Sequence, residues 1–231
     1  MKRYAVIVAG GSGTRMGGGI PKQFRSLAGR PVLWWSIKAF HDENPDTSII
    51  IVLPKDFIGL WKDFYSTLPD ADRFPYKIAT GGKTRTESVR NGLALIPDGE
   101  DALVAVHDGA RPLVTRSVIA TGWENAEKHG AAIPVVSVTD SLRIKKETGT
   151  ETVDRSLYLA VQTPQVFDAP TLKKAYEEAE KSGLSFTDDA SVMEHAGKKI
   201  AVFDGNSANI KITNPIDMSI AEVILGGMNK N

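Results

Sequence analysis

The sequence predicts an α/β fold: one three-layer domain with a mostly parallel central sheet and a β-arm standing out from it. Two observations carry this expectation. Short apolar runs alternate along the 231 residues with longer stretches of helical period, the order that builds a parallel sheet covered on both faces. One segment, Thr139–Thr152, breaks the alternation: it alternates apolar and polar residues and turns at Thr148-Gly149. That is the pattern of an extended hairpin too polar to be core.

In chain order, the first strand is Tyr4–Ala9, six apolar residues that run straight into glycines. Helical period follows over Pro31–His41, then a strand over Ser48–Leu53 and a helix over Phe57–Leu68. Lys77–Ala79 reads as a short strand before a helix at Thr86–Leu95, and Leu103–His107 as a strand before a helix at Ser117–His129. Thr115 or Ser117 can cap that helix. Ala131–Val136 is the next strand and leads into the hairpin. Helices at Pro170–Lys181 and Asp188–Ala196, a strand at Lys199–Phe203 and a helix at Pro215–Leu225 complete the chain. Asn214 stands before Pro215, which suits a first helical turn. Residues 1–231 thus read as a single Rossmann-like domain, with 139–152 either a solvated flap or an arm that packs on a second subunit.

Charge and composition exclude several classes. Lys plus Arg and Asp plus Glu each total 28, so the formal net charge is zero; neither a general nucleic-acid binder nor a membrane-surface protein is expected. There is no cysteine, which excludes disulfides, thiolate zinc sites and a cysteine nucleophile. No apolar run approaches the roughly 20 residues of a membrane span, and Met1-Lys2-Arg3 opens no signal peptide. A cytoplasmic protein is expected.

In an open α/β sheet, ligands bind beyond the carboxyl ends of the strands, so the loops after Ala9, Ala79 and His107 are the places to look. The first reads Ala9-Gly10-Gly11-Ser12-Gly13-Thr14-Arg15-Met16-Gly17-Gly18-Gly19-Ile20-Pro21-Lys22-Gln23-Phe24. Glycines here let the backbone approach a phosphate and aim N–H groups at it. A dinucleotide fingerprint fails, because Met16 stands where the third glycine belongs; a P-loop fails, because Lys22 follows Ile20-Pro21 and precedes Gln23. What remains is a long glycine loop with two cations, Arg15 and Lys22, suited to a triphosphate and to the charge of a phosphoryl-transfer transition state.

Further motifs follow in order. Gly81-Gly82-Lys83-Thr84-Arg85-Thr86-Glu87-Ser88-Val89 sets a glycine pair before a helix bearing Ser88, and His107-Asp108-Gly109-Ala110-Arg111-Pro112 puts Asp108 at a strand's carboxyl end. Val153-Asp154-Arg155, Gln162-Thr163-Pro164-Gln165 and Asn209-Ile210-Lys211-Ile212-Thr213 complete the set. Together with the first loop, and over nearly the whole chain, these motifs resemble the 2-C-methyl-D-erythritol 4-phosphate cytidylyltransferases. The glycine loop is also similar to that of ribitol 5-phosphate cytidylyltransferases, and Val153-Asp154-Arg155-Ser156 leans toward the methylerythritol family.

The resemblance implies roles. Arg15 and Lys22 would stabilise the transition state at the α-phosphate of CTP. Ala9, Gly10, Gly11, Gly82, Lys83, Ser88 and Gly109 would line the cytidine pocket, with Asp108 near the ribose and near Mg²⁺, itself held mainly by the CTP phosphates. Arg111, Ser141, Arg155, Thr163, Thr187 and Lys211 would surround the alditol phosphate, with Arg155 and Lys211 positioning it for attack. It further implies a homodimer with shared active sites, Arg155 being supplied across the interface. From the residues alone, an NAD-dependent oxidoreductase and a non-catalytic nucleotide-binding module remain alternatives. Thr187-Asp188-Asp189 also reads as a helix cap, and His107 as a structural histidine.

Overall fold

The structure is a computed structural model that describes residues 1–10 and 20–228. Among these, twelve strands and seven α-helices follow one another in order. β1 (Lys2–Val8) leads to the small pair β2 (Ser26–Leu27) and β3 (Arg30–Pro31), then α1 (Val32–Glu43), β4 (Ser48–Leu53), α2 (Ile58–Ser66) and β5 (Tyr76–Thr80). Next come α3 (Arg85–Leu93), β6 (Ala102–Asp108), α4 (Arg116–His129) and β7 (Ala131–Ser137). β8 (Arg143–Lys146) and β9 (Gly149–Thr152) form the arm, followed by β10 (Leu159–Val161), β11 (Gln165–Asp168) and α5 (Ala169–Ser182). α6 (Asp189–His195), β12 (Ala201–Asp204) and α7 (Pro215–Met228) end the chain.

The main sheet has the order β10-β7-β11-β6-β1-β4-β5, with β12 also on β7. β6, β1, β4 and β5 are parallel neighbours. The central strands β1, β4 and β6 are largely apolar on both faces because both faces are covered, whereas the edge strand β5 buries only Ala79. Alternate side chains divide between two cores. Val6, Val52, Val104 and Val106 pack with Val89 of α3, Leu172 and Tyr176 of α5 and Met193 of α6. Ala5, Ile7, Ile51 and Ala105 pack with Ile37 of α1, Trp61 of α2 and Trp123 of α4. Three layers result, and Trp61 and Trp123 are fully buried. α7 closes a smaller cluster of Leu27, Val32, Leu113 and Ile212 through Ala221 and Leu225.

The sequence pattern finds every parallel strand of this sheet but misses β10 and β11. These two lie end to end along one side of β7 and run antiparallel to it, and β11 is wedged between β6 and β7. Residues 162–164 interrupt them, and Pro164 has no N–H to give to a ladder, so the segment reads as a turn in the sequence. Capping follows local chemistry. Thr115, not Ser117, accepts from Val118 N at the start of α4, and Asp188 caps α6 in a capping box with Ser191. The arm is a two-stranded hairpin exposed along its whole length.

Candidate active site

A cavity of about 430 Å³ opens where the strand-end rule places it, beyond the carboxyl ends of β1 and β6. Its floor is Val8, Ala9 and Gly10; α3 and the loop before it form one wall; Lys22 and Lys211 stand on it from distant parts of the chain. Gly11 and Arg15 lie outside the described residues.

Lys22 opens a short 3-10 helix behind Pro21. Its Nζ donates to Ile212 O at 2.6 Å, which docks the first loop on the segment that carries Lys211. Gln23 is buried, and its Nε2 donates to Ala9 O at 2.6 Å, tying that loop back to the end of β1. On the opposite wall, Ser88 Oγ accepts from Gly82 N at 3.1 Å and donates to Thr84 O at 2.8 Å. The Gly82–Thr84 loop is thus strapped to the first turn of α3.

Asp108 ends β6 and is the electrostatic centre of the site. Lys211 Nζ lies 2.8 Å from its Oδ2, Arg111 Nε 3.6 Å from the same oxygen, and Arg85 Nε 3.8 Å from Oδ1. Burial pushes this carboxyl up, but Lys211, Arg85 and Arg111 outweigh burial and hold it down at about 2. It is ionised at any physiological pH. Burial pulls Arg111 down and Asp108 resists; its Nη1 donates to Asn209 O at 2.8 Å.

A chain of hydrogen bonds fixes Asp108 from behind. Asp108 N donates to Thr163 Oγ1 at 3.0 Å, so the Thr163 hydroxyl proton is free for His107 Nδ1 at 3.1 Å. His107 Nε2–H then gives to Arg111 O at 3.1 Å. Burial pushes His107 down to about 4, consistent with the neutral ring this chain needs. His107 is structural, as its sequence context suggests.

The other expected residues divide. Ala9, Gly10, Lys22, Gly82, Lys83, Ser88, Asp108 and Lys211 meet at the cavity. Arg111 and Thr163 reach Asp108 from just outside it. Gly109 serves close packing: its N–H donates to Val8 O at 2.9 Å, and a Cβ there would fall 2.9 Å from Leu33 Cδ1. Ser141, Arg155 and Thr187 are exposed and do not line the cavity. Arg155 donates to Thr139 O at the base of the arm.

Sequence reasoning gave no role to Arg85, which lines the cavity and reaches back to a fully buried carboxylate. Arg85 Nη1 and Nη2 donate to Asp189 Oδ1 and Oδ2 at 3.1 and 2.6 Å, a fork-on-fork pair. Burial pushes the Arg85 guanidinium down, while Asp189 and Asp108 more than reverse this, so it stays charged. Tyr176 OH donates to Asp189 Oδ1 at 2.5 Å; burial and Asp189 raise its phenol well above the ordinary value. Gln165 Oε1 accepts from the N–H groups of Asp189 and Ala190 at 3.1 and 2.9 Å. The arginine was visible two residues after the lysine of a glycine-pair motif, but nothing in sequence distinguishes a buried Asp189 from the helix cap beside it.

Among the described residues, no group of three His, Cys, Asp or Glu side chains gathers to hold a metal. A cation here would have one protein carboxylate, that of Asp108, and would take its other ligands from a bound anion and water. That donor set suits Mg²⁺, which is commonly held by one or two carboxylates together with substrate phosphates. No helix of the described residues is long and apolar enough to cross a membrane.

Comparison with known proteins agrees with the geometry. Residues 4–227 match the family described as 2-C-methyl-D-erythritol 4-phosphate cytidylyltransferase. The enzyme of that name from Phocaeicola vulgatus is 47% identical over 225 residues, covering 97% of this chain and 100% of its own. That from Bacteroides thetaiotaomicron is 45% identical over 227 residues, with 97% and 100% covered. Among solved structures, the 4-diphosphocytidyl-2C-methyl-D-erythritol synthase of Anaerococcus prevotii superposes with a TM-score of 0.83 at 28% identity, covering 97% and 96% of the two chains. The Thermus thermophilus cytidylyltransferase gives 0.77 at 31% identity, covering 97% and 98%. This chain belongs to the 2-C-methyl-D-erythritol 4-phosphate cytidylyltransferase family.

Proposed function

We infer that this protein transfers CMP from CTP to 2-C-methyl-D-erythritol 4-phosphate, giving 4-diphosphocytidyl-2-C-methyl-D-erythritol and pyrophosphate. The observation that carries the reading is the meeting of Lys22, Lys211 and the ionised Asp108 at one cavity with the Gly82–Ser88 wall. An oxygen of the acceptor phosphate attacks the α-phosphorus of CTP; the bond to the β-phosphate oxygen breaks and pyrophosphate departs. A phosphate is already ionised at neutral pH, so no general base is required. Holding two anions together is the chief demand, and fixed cations meet it.

In this reading Lys22, with Arg15, stabilises the transition state at the α-phosphate. Ala9, Gly10, Gly11, Gly82, Lys83 and Ser88 form the cytidine pocket. Lys211 and Arg111 hold the acceptor, and Ser141, Thr163 and Thr187 belong to the acceptor side. Mg²⁺ is the metal we propose, with Asp108 as its protein ligand; when bound it would spread the negative charge of the triphosphate and the leaving pyrophosphate.

A homodimer with shared active sites is part of the same proposal. Arg155 hydrogen-bonds at the base of its own arm and does not line its own chain's cavity. The arm buries little, and Leu157, Leu159 and Val161 beside it are 80%, 51% and 42% exposed. An apolar edge of this kind next to a polar arm suits a subunit interface, through which the partner subunit's Arg155 would reach the acceptor. A cytoplasmic location, where CTP is supplied, completes the reading.

Pyrophosphate release with CTP, using methylerythritol 4-phosphate beside ribitol 5-phosphate, tests it. Turnover with the first acceptor is expected; turnover with ribitol 5-phosphate alone would overturn the acceptor assignment, and none with either would overturn the reaction.

A further inference from the structure

Glu87 stands on the first turn of α3 and does not line the cavity, yet it sets the hydrogen-bonding polarity of the loop that does. Its Oε2 accepts from Lys83 N at 2.6 Å. Ser88 Oγ takes the neighbouring Gly82 N–H at 3.1 Å, and Thr84 Oγ1 accepts from Glu87 N at 3.1 Å. The N–H groups of Gly82 and Lys83 are therefore both satisfied within the loop. Among the described residues, no hydrogen bond is made to the carbonyl oxygen of either. The strap is tight enough to require glycine at 82, where a Cβ would fall against Glu87 Cβ and 2.7 Å from its Oε2.

With both N–H groups used and both carbonyls open, the Gly82–Lys83 backbone edge accepts hydrogen bonds but does not give them. Cytosine carries a 4-amino donor where uracil carries a 4-oxo acceptor. Facing the 4-position, an accept-only edge therefore pairs with the first and sets acceptor against acceptor with the second, and unpaired buried polar groups discriminate more strongly than lost packing. Without the Glu87 carboxylate, Lys83 N–H would be a free donor on the same loop, and the edge could serve either base.

We propose that Glu87 is a specificity-determining positioning residue: by holding Lys83 N–H it keeps the Gly82–Lys83 edge accept-only and selects cytosine over uracil. The proposal rests on the cytidylyl-transfer reading above and adds the residue that enforces it.

Its test is the ratio of kcat/KM for CTP to that for UTP, with methylerythritol 4-phosphate as acceptor, in four proteins. Glu87→Ala removes the acceptor. Glu87→Asp keeps the charge at the helix start but is one methylene too short for Lys83 N. Glu87→Gln keeps a carbonyl oxygen at full reach. The first two should lower the CTP-to-UTP ratio at least ~10-fold, mainly by raising KM for CTP, with KM for the acceptor unchanged; Glu87→Gln should stay within about 3-fold of wild type. An unchanged ratio in folded Glu87→Asp overturns the proposal, as does a Glu87→Gln ratio as low as that of Glu87→Ala. Wild-type protein that ignores CTP would instead overturn the cytidylyl-transfer reading itself, which separates the two failures.

Discussion

Lys211 Nζ lies 2.8 Å from Asp108 Oδ2, and Arg85 and Arg111 flank the same carboxylate. A single negative charge thus holds three cations at the cavity. Removing it leaves Lys211 and Arg111 without their counter-charge and leaves Arg85 with Asp189 alone. Asp108→Asn is expected to destabilise the fold and to abolish most turnover.

The acid dependence of that effect has a definite sign. The folded value of Asp108 is about 2, below the ordinary 3.8. A carboxyl depressed on folding contributes stability that is complete above its unfolded value and fades as pH falls toward the folded one. The stability gap between wild type and Asp108→Asn, measured by urea unfolding, should narrow as pH falls from about 4 to about 2. A gap that stays constant across that window would show that the carboxylate charge is not what binds the three cations together.

Lys22→Ala and Arg15→Ala should each lower kcat by at least ~10²-fold, the scale of one lost electrostatic contact to a transition state. CTP affinity, read by calorimetry, should fall much less, because charge at the α-phosphate is greatest in the transition state. Equal losses in affinity and turnover would make these residues ground-state binders.

The Arg85–Asp189 pair makes a prediction about stability and activity together. Asp189 is fully buried and shared by Arg85 and Tyr176. Asp189→Ala leaves a half-buried guanidinium with only Asp108 beside it, and the loss should cost up to roughly 3 kcal/mol, the lower end for breaking a buried pair. The double variant Arg85→Met with Asp189→Leu should regain much of this, since apolar replacement of a whole buried pair is often neutral. Its activity should stay low, because Arg85 also lines the cavity and flanks Asp108. Full recovery of both would make the pair purely structural.

The centre of the parallel sheet was legible because β1, β4 and β6 are buried on both faces over most of their length and carry apolar runs of five residues each. β11 was not, although it lies between β6 and β7, because its four residues follow a proline and carry two polar ends. The same difference governs the site. Lys22, Ser88 and Asp108 stood out because glycines or a strand end preceded them, Lys211 stood out only through the family resemblance, and the structure brings all four to one cavity. The union of Lys22 with the Lys211 segment, through Ile212 O, is a long-range contact that no local pattern encodes. Asp189 was hidden for the opposite reason: its neighbour Asp188 explains the local sequence as a cap, so nothing was left over to suggest a buried ion pair.

The last prediction concerns the division of labour between subunits. Within one chain Arg155 donates to Thr139 O and does not line the cavity, so in the proposed homodimer its role at the acceptor falls to the partner subunit's Arg155. Arg155→Ala should then raise KM for the acceptor at least ~10-fold, the scale of a lost charged hydrogen bond, and leave KM for CTP nearly unchanged. Mixing subunits sharpens the test. In a dimer of one Arg155→Ala chain and one Lys22→Ala chain, one cavity has an intact Lys22 and receives an intact arginine, while the other lacks both. Purified mixed dimers should therefore regain about half of wild-type activity although each parent is impaired, as two independent sites in a two-fold assembly require. Were Arg155 to act within its own chain, each cavity of the mixed dimer would lack one residue or the other, and activity would stay at the level of the parents. Recovery and no recovery thus separate the two arrangements in one preparation, with light scattering on the same sample confirming that the dimer is intact.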